Sequence, residues 1–209
     1  MLFLSPEACE AIRALRRVAA TERGGAPAYS EWHVIEALRI MSKGAVGRLS
    51  LSSELGIGEA SARTLLTRLE EEGLVKAVGR GKSLTDRGVR VLRQLEDLLS
   101  VTACSIKDLS GFEECLKATF IGNPPVDLTQ VYDLRDLLVA RGCKTSLIGY
   151  WRGEEVGFPG MPQGILDLVL RSISLPAEGV GGIIVVPSSC WQQLVGALAE
   201  LTLRFCERA

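Results

Sequence analysis

The chain has 209 residues, 47% of them hydrophobic and 23% charged, with a formal net charge of −1. That length exceeds the usual single domain of about 100 to 150 residues and predicts two domains, while the apolar content excludes a disordered or low-complexity chain. No apolar run approaches the roughly 18 to 20 residues of a bilayer span, and the opening Met1-Leu2-Phe3-Leu4 has neither the basic segment nor the length of a secretory signal, so a cytoplasmic protein without a membrane partner is expected.

In chain order, Ser5-Pro6-Glu7 reads as a helix start, with serine as N-cap, proline at the first helical position and a carboxylate favoured by the dipole. That helix should reach about Ala20, with Ala8, Ile12, Leu15 and Ala19 on one apolar face. Residues 21 to 28, with two glycines and a proline, predict a loop. Ser30 caps a second helix carrying Trp32, Ile35, Leu38 and Met41 at helical spacing and ending near Gly44. A short helix follows from a Ser50 cap to Leu55, then a Gly56-Ile57-Gly58 turn. The next helix, 59 to 72, has Ala62, Leu65, Leu66 and Leu69 in the i, i+3, i+4, i+7 pattern and is closed by Gly73. Leu74 to Val78 predicts a strand, Gly79 to Lys82 a turn, and Ser83-Leu84 a returning strand. Thr85-Asp86 opens another helix, to about Ser100, with Leu84 and Val89 placed as a hydrophobic staple.

Residues 101 to 115 carry weak signals and are read as the boundary between domains 1–104 and 116–209. Beyond it come a strand at 118–121, a break at Gly122-Asn123-Pro124-Pro125, and a helix from about Leu128 to Arg141. Strands at 144–151 and 155–158, joined in hairpin fashion through Arg152-Gly153, precede a helix at 163–172 and an apolar strand at 182–186. Ser188 or Ser189 then caps a final helix to about Glu207. The fold class expected is α+β, with an N-terminal helical domain and a C-terminal α/β sandwich of three or four strands.

Six cysteines, at 9, 104, 115, 143, 190 and 206, form no CxxC pair, and His33 is the one histidine, so no metal site is expected. Most of the cysteines are read as small buried hydrophobes. The single asparagine and the preference for arginine over lysine fit a GC-rich genome or a thermophile, in which intracellular disulfides do occur. No P-loop, complete GxGxxG, GxSxG or catalytic triad is present, so no catalytic residues and no cofactor are assigned.

The near-neutral charge is unevenly placed. From Arg48 to Arg93 there are nine basic and six acidic residues, whereas 101–209 holds nine basic and twelve acidic. The positive excess coincides with the two short helices and the hairpin, the arrangement of a helix-turn-helix with a wing. A helix that enters the major groove needs polar residues on its exposed face and a packed apolar back. Arg63 suits a bidentate contact to guanine, and Ser61, Thr64, Thr67 and Arg68 can reach bases or phosphates. Ser50 and Ser52 suit phosphate contacts from the preceding helix, and Arg80 and Lys82 a wing tip on the backbone. Each has a plainer reading: Arg68 paired with Glu71 or Glu72, Arg63 with Glu59, and the Glu70-Glu71-Glu72 run as a solvated face.

Leu51, the Leu55-Gly56-Ile57 turn, Arg63, Leu66, Arg68-Leu69, Glu71-Glu72-Gly73-Leu74-Val75 and Leu84-Thr85-Asp86-Arg87-Gly88 resemble the winged helix-turn-helix of prokaryotic transcriptional regulators of the MarR or PadR kind, most like archaeal members. The resemblance covers about residues 30 to 100, and the wing is short for the family. The second half resembles an uncharacterised archaeal domain found behind such winged helices. It implies a DNA-binding regulator, with double-stranded DNA as partner, a homodimer, and a C-terminal domain that senses a small-molecule effector or holds the dimer. Trp151 and Phe158 are candidates for an apolar ligand pocket, and Ser188 and Ser189 for anion binding at a helix start, against core filling and simple capping. The alternative functions are a winged-helix protein-interaction module in a larger assembly and a metabolite-binding protein.

Overall fold

A computed structural model describes residues 5–20, 28–98, 101–121, 127–174 and 179–208. The fold is α+β. The chain divides into two compact units, Leu4–Leu98 with Thr202–Cys206, and one built on Leu99–Leu201. The sequence boundary at 104 therefore moves: Val101–Cys104 is a strand of the C-terminal sheet, and Thr202–Cys206 groups with the N-terminal unit. The expected loop at 21–28 and the break at 122–125 lie outside the described residues, apart from Ala28.

The N-terminal unit contains α1 (Pro6–Ala19), α2 (Glu31–Ser42), α3 (Arg48–Leu55), α4 (Glu59–Glu71), β1 (Val75–Val78), β2 (Gly81–Leu84) and α5 (Asp86–Leu98). Ser5 caps α1, its Oγ accepting from Ala8 N at 3.1 Å. At α2 the capping box uses an unusual partner: His33 occupies the position where glutamate or glutamine is commoner, and its Nδ1 accepts from Ser30 N at 3.0 Å. Helix α1 packs on α2, α4 and α5, and the fully buried Ile12, Leu15, Leu38, Met41, Leu65 and Leu69 fill the core.

The start of α5 differs from the expected staple, because Val89 is 53% exposed. Thr85 does the work instead: its Oγ1 accepts from Gly88 N at 3.0 Å and donates to Gly73 O at 2.7 Å. Gly88 must be glycine, since a Cβ there would lie 2.0 Å from Leu74 O. On the outer side, Arg17 bridges Glu72 at 2.7 Å and Glu10 at 3.0 Å, and Arg87 reaches Glu10 at 2.9 Å. Burial works against ionisation of Glu10, but Arg17 and Arg87 outweigh it and hold the carboxyl below its ordinary range. The supposedly solvated glutamate run is thus partly structural.

The C-terminal unit holds β3 (Val101–Cys104), β4 (Cys115–Ile121), α6 (Leu128–Ala140), β5 (Leu147–Arg152), β6 (Glu155–Gly157), α7 (Gln163–Ser172), β7 (Val180–Pro187), a 3-10 turn (Ser188–Cys190) and α8 (Trp191–Arg208) apart from its residues 202–206. Its sheet has five strands, one more than the upper expectation, in the order β3-β4-β7-β5-β6. Every pairing is antiparallel. The extra strand is β3, whose four residues are defined by pairing with β4 and not by any local pattern. Central β7 is buried from Gly181 to Val186, as a strand covered on both faces should be. Ile183 and Val185 join Phe112, Trp151, Phe158 and Val169 in one core cluster.

Glycines let this sheet carry large rings. A Cβ on Gly181 would sit 2.3 Å from the Trp151 ring and one on Gly182 2.0 Å from Phe120, so each aromatic lies across the strand opposite a missing side chain. The 8%-exposed Lys117 on β4 donates to Ser174 Oγ at 3.2 Å and to Ser174 O, just beyond the end of α7. A cation there complements the carbonyl end of a helix.

The cysteines correct the sequence reading, because all six are paired: Cys9 with Cys206, Cys104 with Cys115, and Cys143 with Cys190. Cys104 and Cys115 are direct partners in the β3–β4 register. Cys143–Cys190, together with the 2.5 Å pair Arg141–Glu200, fastens the end of α6 to α8.

Two measurements follow from these contacts. Cys9–Cys206 spans 197 residues, which the chain-entropy relation converts to about 5 kcal/mol of stabilisation. Cys206→Ser should lower the melting temperature of the oxidised protein substantially, and an unchanged melting curve would show that this crosslink does not constrain the unfolded chain. Burial pushes the His33 imidazole below its ordinary range, so the unfolded chain takes up a proton that the folded one refuses. Stability should fall as pH drops through about 6.5 and below. His33→Gln keeps the capping acceptor and should remove that part of the pH dependence in denaturant titrations.

Candidate nucleic-acid interface

Helices α3 and α4 are set by the glycines of the turn between them. Gly56 ends α3 at φ 64°, a left-handed conformation that suits glycine, and Gly58 is the extended N-cap of α4. Ser52 closes the turn, donating to Ile57 O at 2.6 Å. The apolar backs of the two helices, with Leu51, Leu55, Ala62, Leu65 and Leu69, are buried. Arg63, Thr64 and Thr67 are left exposed on α4.

The hairpin is tighter than expected. Val78 pairs with Gly81, leaving a two-residue tip of Gly79 and Arg80. Gly79 has φ 58° in the first position of the tip, where a type II′ hairpin turn calls for glycine. Lys82 lies within β2 and not in the turn. It exchanges two backbone hydrogen bonds of 2.9 Å with Val46, which attaches the hairpin to the segment just before α3.

These three elements enclose a cleft of about 430 Å³. Arg48, Leu49 and Ser50 line it from the head of α3, Arg63 and Thr67 from α4, and Arg80 and Lys82 from the hairpin. Helix α3 starts three residues earlier than the sequence suggests, with Gly47 as N-cap and no capping side chain. Ser50 is therefore in the first turn and is not the cap. The opening amides of α3 have no partner inside the helix, and such amides favour an anion.

Among the cations of the cleft, Arg63 and Arg80 make no hydrogen bond or ion pair with another described residue, and both are exposed. The other two are compensated. Lys82 Nζ is 2.5 Å from Glu70, and Arg48 is 3.5 Å from Glu59. Glu59 is thus directed at Arg48 and not, as the plainer sequence reading had it, at Arg63.

Of the nine candidate DNA contacts, Ser50, Arg63, Thr67, Arg80 and Lys82 gather around this cleft. Thr64 lies outside it, exposed, its hydroxyl donating to Ala60 O at 3.1 Å, and Ser61 is half-buried. Two are turned away. Ser52 is occupied in the turn, and Arg68 reaches from α4 to the end of α1, donating to Val18 O at 3.2 Å and also to Ala20 O. It thereby satisfies carbonyls that the helix end leaves open. With Ser50 as the cap, Arg48 and Leu49 fall outside the helix, and the sequence reading does not reach them. Gly47, an acceptable N-cap, was the available signal.

The candidate ligand residues of the second half are placed differently. Trp151 is 2% and Phe158 4% exposed, packed in the core above Gly181 and Gly149, where their rings fill space. Ser188 and Ser189 are exposed within the 3-10 turn, where Pro187 takes the N-cap position, so neither caps the turn. Ser188 N donates to Glu114 O at 2.9 Å. Among the described residues no helix is long and apolar enough to cross a membrane.

Residues 30–99 match the family described as the CggR N-terminal DNA binding domain. The chain therefore carries a DNA-binding domain of regulator type, and the cleft lies inside the matched segment. No curated protein matches the chain. Among solved structures, the hypothetical protein PH0730 from Pyrococcus horikoshii OT3 is similar in fold, with a TM-score of 0.56 and 21% identity over 86% of this chain and 94% of that one.

The Lys82–Glu70 pair gives a direct test of the cleft's electrostatics. Glu70→Gln leaves Lys82 uncompensated, so DNA affinity should rise several-fold at low salt and the slope of log affinity against log salt should steepen by about one. An affinity and slope equal to wild type in a fluorescence-anisotropy salt series would place Lys82 off the DNA.

Proposed function

We propose that this protein is a cytoplasmic, sequence-specific transcription regulator that binds double-stranded DNA as a homodimer, with α4 in the major groove. The observation that carries the reading is the pairing state of the cleft: Arg63 and Arg80 are uncompensated and exposed on either side of the uncapped head of α3. Arg63 reads a base edge, for which the guanidinium fork is suited. Arg80, at the hairpin tip, holds backbone or minor groove, and the amides of α3 take a phosphate. A single such unit reads few bases, and two-fold pairing on a palindromic site doubles the contact. The MarR or PadR-like pattern of the motif, of archaeal type, supports the same reading. The C-terminal unit is then the regulatory half, for dimerisation or for an effector, as in one-component regulators.

One feature favours a protein-interaction module instead. Leu49 is 62% exposed and lines the cleft, where a partner's apolar side chain could cover it.

Selection of duplexes from a random pool by the purified protein separates the two. Enrichment of a palindrome is expected. Arg63→Ala should then lose about 1 to 3 kcal/mol and relax preference at one position, while Arg80→Ala should weaken all sequences alike and reduce the salt slope by about one. No enrichment at low salt would overturn the reading, and a bound protein partner lost on Leu49→Ser would favour the alternative.

A further inference from the structure

We infer that Leu49 reads DNA sequence, and that the group it reads is the C5-methyl of a thymine. This rests on the DNA-binding reading above and adds an apolar specificity element to the same cleft.

At 62%, Leu49 is the most exposed large hydrophobic side chain among the described residues. It is the second residue of α3 and lines the cleft between Arg48 and Ser50. The other apolar side chain of the lining, Leu66, is 6% exposed and belongs to the buried back of α4. One isobutyl group is thus left to solvent among the cations and hydroxyls of the cleft.

Those surroundings identify the occupant. The core of a protein–protein contact is depleted of charged residues, whereas Arg48, Arg63, Arg80 and Lys82 share this cleft with Leu49. A polyanion answers such charges, and to cover Leu49 it must also bring an apolar group. Duplex DNA does both, because the thymine methyl is the one apolar substituent that base edges present in the major groove. The position of Leu49 agrees with this. The Cα–Cβ bonds of a helix tilt towards its amino end, so the side chain leans towards the open amides of α3. A phosphate on those amides and a base edge on Arg63 leave Leu49 beside the base, where the methyl projects. Arg63 then selects its base by hydrogen bonds and Leu49 by covering carbon, and the two selections are separable by substitution.

The test uses the full-length protein and the duplex enriched from a random pool, with each thymine replaced singly by uracil. That change deletes the methyl and keeps every hydrogen-bonding group of the base. Wild-type affinity should fall about fourfold at one thymine position. Leu49→Ala should lose about as much on the original duplex and no longer distinguish thymine from uracil there, while keeping the base preference that Arg63→Ala removes. At the same position, a C·G pair with 5-methylcytosine should be bound about fourfold better than one with cytosine by the wild type, and equally well by Leu49→Ala. Leu49 is exposed and alanine is a strong helix former, so the melting temperature should not move, and the wild-type methyl effect is a readout that needs no variant. No methyl effect at any thymine, or one that Leu49→Ala retains, would overturn the inference and leave the DNA reading standing. A loss in Leu49→Ala that is equal on all sequences would overturn it too, placing the side chain on the sugar–phosphate backbone. If the wild type enriches no duplex, both readings fall, and a protein partner lost on Leu49→Ser identifies what covers the residue instead.

Discussion

The interface depends on one backbone contact, the bridge between β2 and the residue that leads into α3. Val46 and Lys82 exchange two hydrogen bonds of 2.9 Å, and Gly81 lies so close that a Cβ would be 2.9 Å from the Val46 carbonyl. No other residue permits that approach without displacing main chain. Because Arg80 immediately precedes Gly81 and Gly47-Arg48 immediately follow Val46, the contact fixes the hairpin tip beside the head of α3. Helix α4 supplies the third wall through its buried back. Side-chain flexibility then matters little, since three backbones define the cleft before any cation reaches into it.

The electrostatics explain how a nearly neutral chain can carry a cationic site. Most of the paired arginines of the N-terminal unit are engaged in holding helices together: Arg17 and Arg87 with Glu10 and Glu72, Arg39 with Glu36 and Glu96, Arg16 with Glu31. Surface pairs of this kind contribute little each, about 0 to 1 kcal/mol, but they sort the charges. What remains uncompensated in the cleft is Arg63 and Arg80. The attraction for a polyanion is therefore local and not a property of total charge, and salt screens it accordingly.

The C-terminal unit solves a different problem. Its central strand is apolar on both faces and needs heavy cover, yet two adjacent positions are glycine. Trp151 and Phe120 supply the missing volume from neighbouring strands, which suits close packing better than a row of branched side chains with no ring to cover them. The same arrangement removes Trp151 and Phe158 from any role at a surface. Among the described residues of this unit, the large apolar side chains left to solvent are Leu128, Tyr132 and Val139 on α6 and Ile165 on α7.

The sequence by itself determined what depends on near neighbours. The caps at Ser5 and Ser30, the left-handed glycines at 56 and 73, and the helical back of α4 are consequences of hydrogen bonds and sterics within four residues, and they announce two short helices and a hairpin whatever the rest of the chain does. Arg63 was legible for the same reason, being on the exposed side of a periodic helix. Tertiary structure alone decided matters that join residues far apart in sequence: the six cysteines into three pairs, β3 into the sheet by its register with β4, Arg68 to the carbonyls of α1, and Lys82 to Glu70. Charge and burial act through space, and spacing along a chain does not encode which distant group will stand opposite. A cation's availability to DNA is therefore settled only when the fold has allotted its partners.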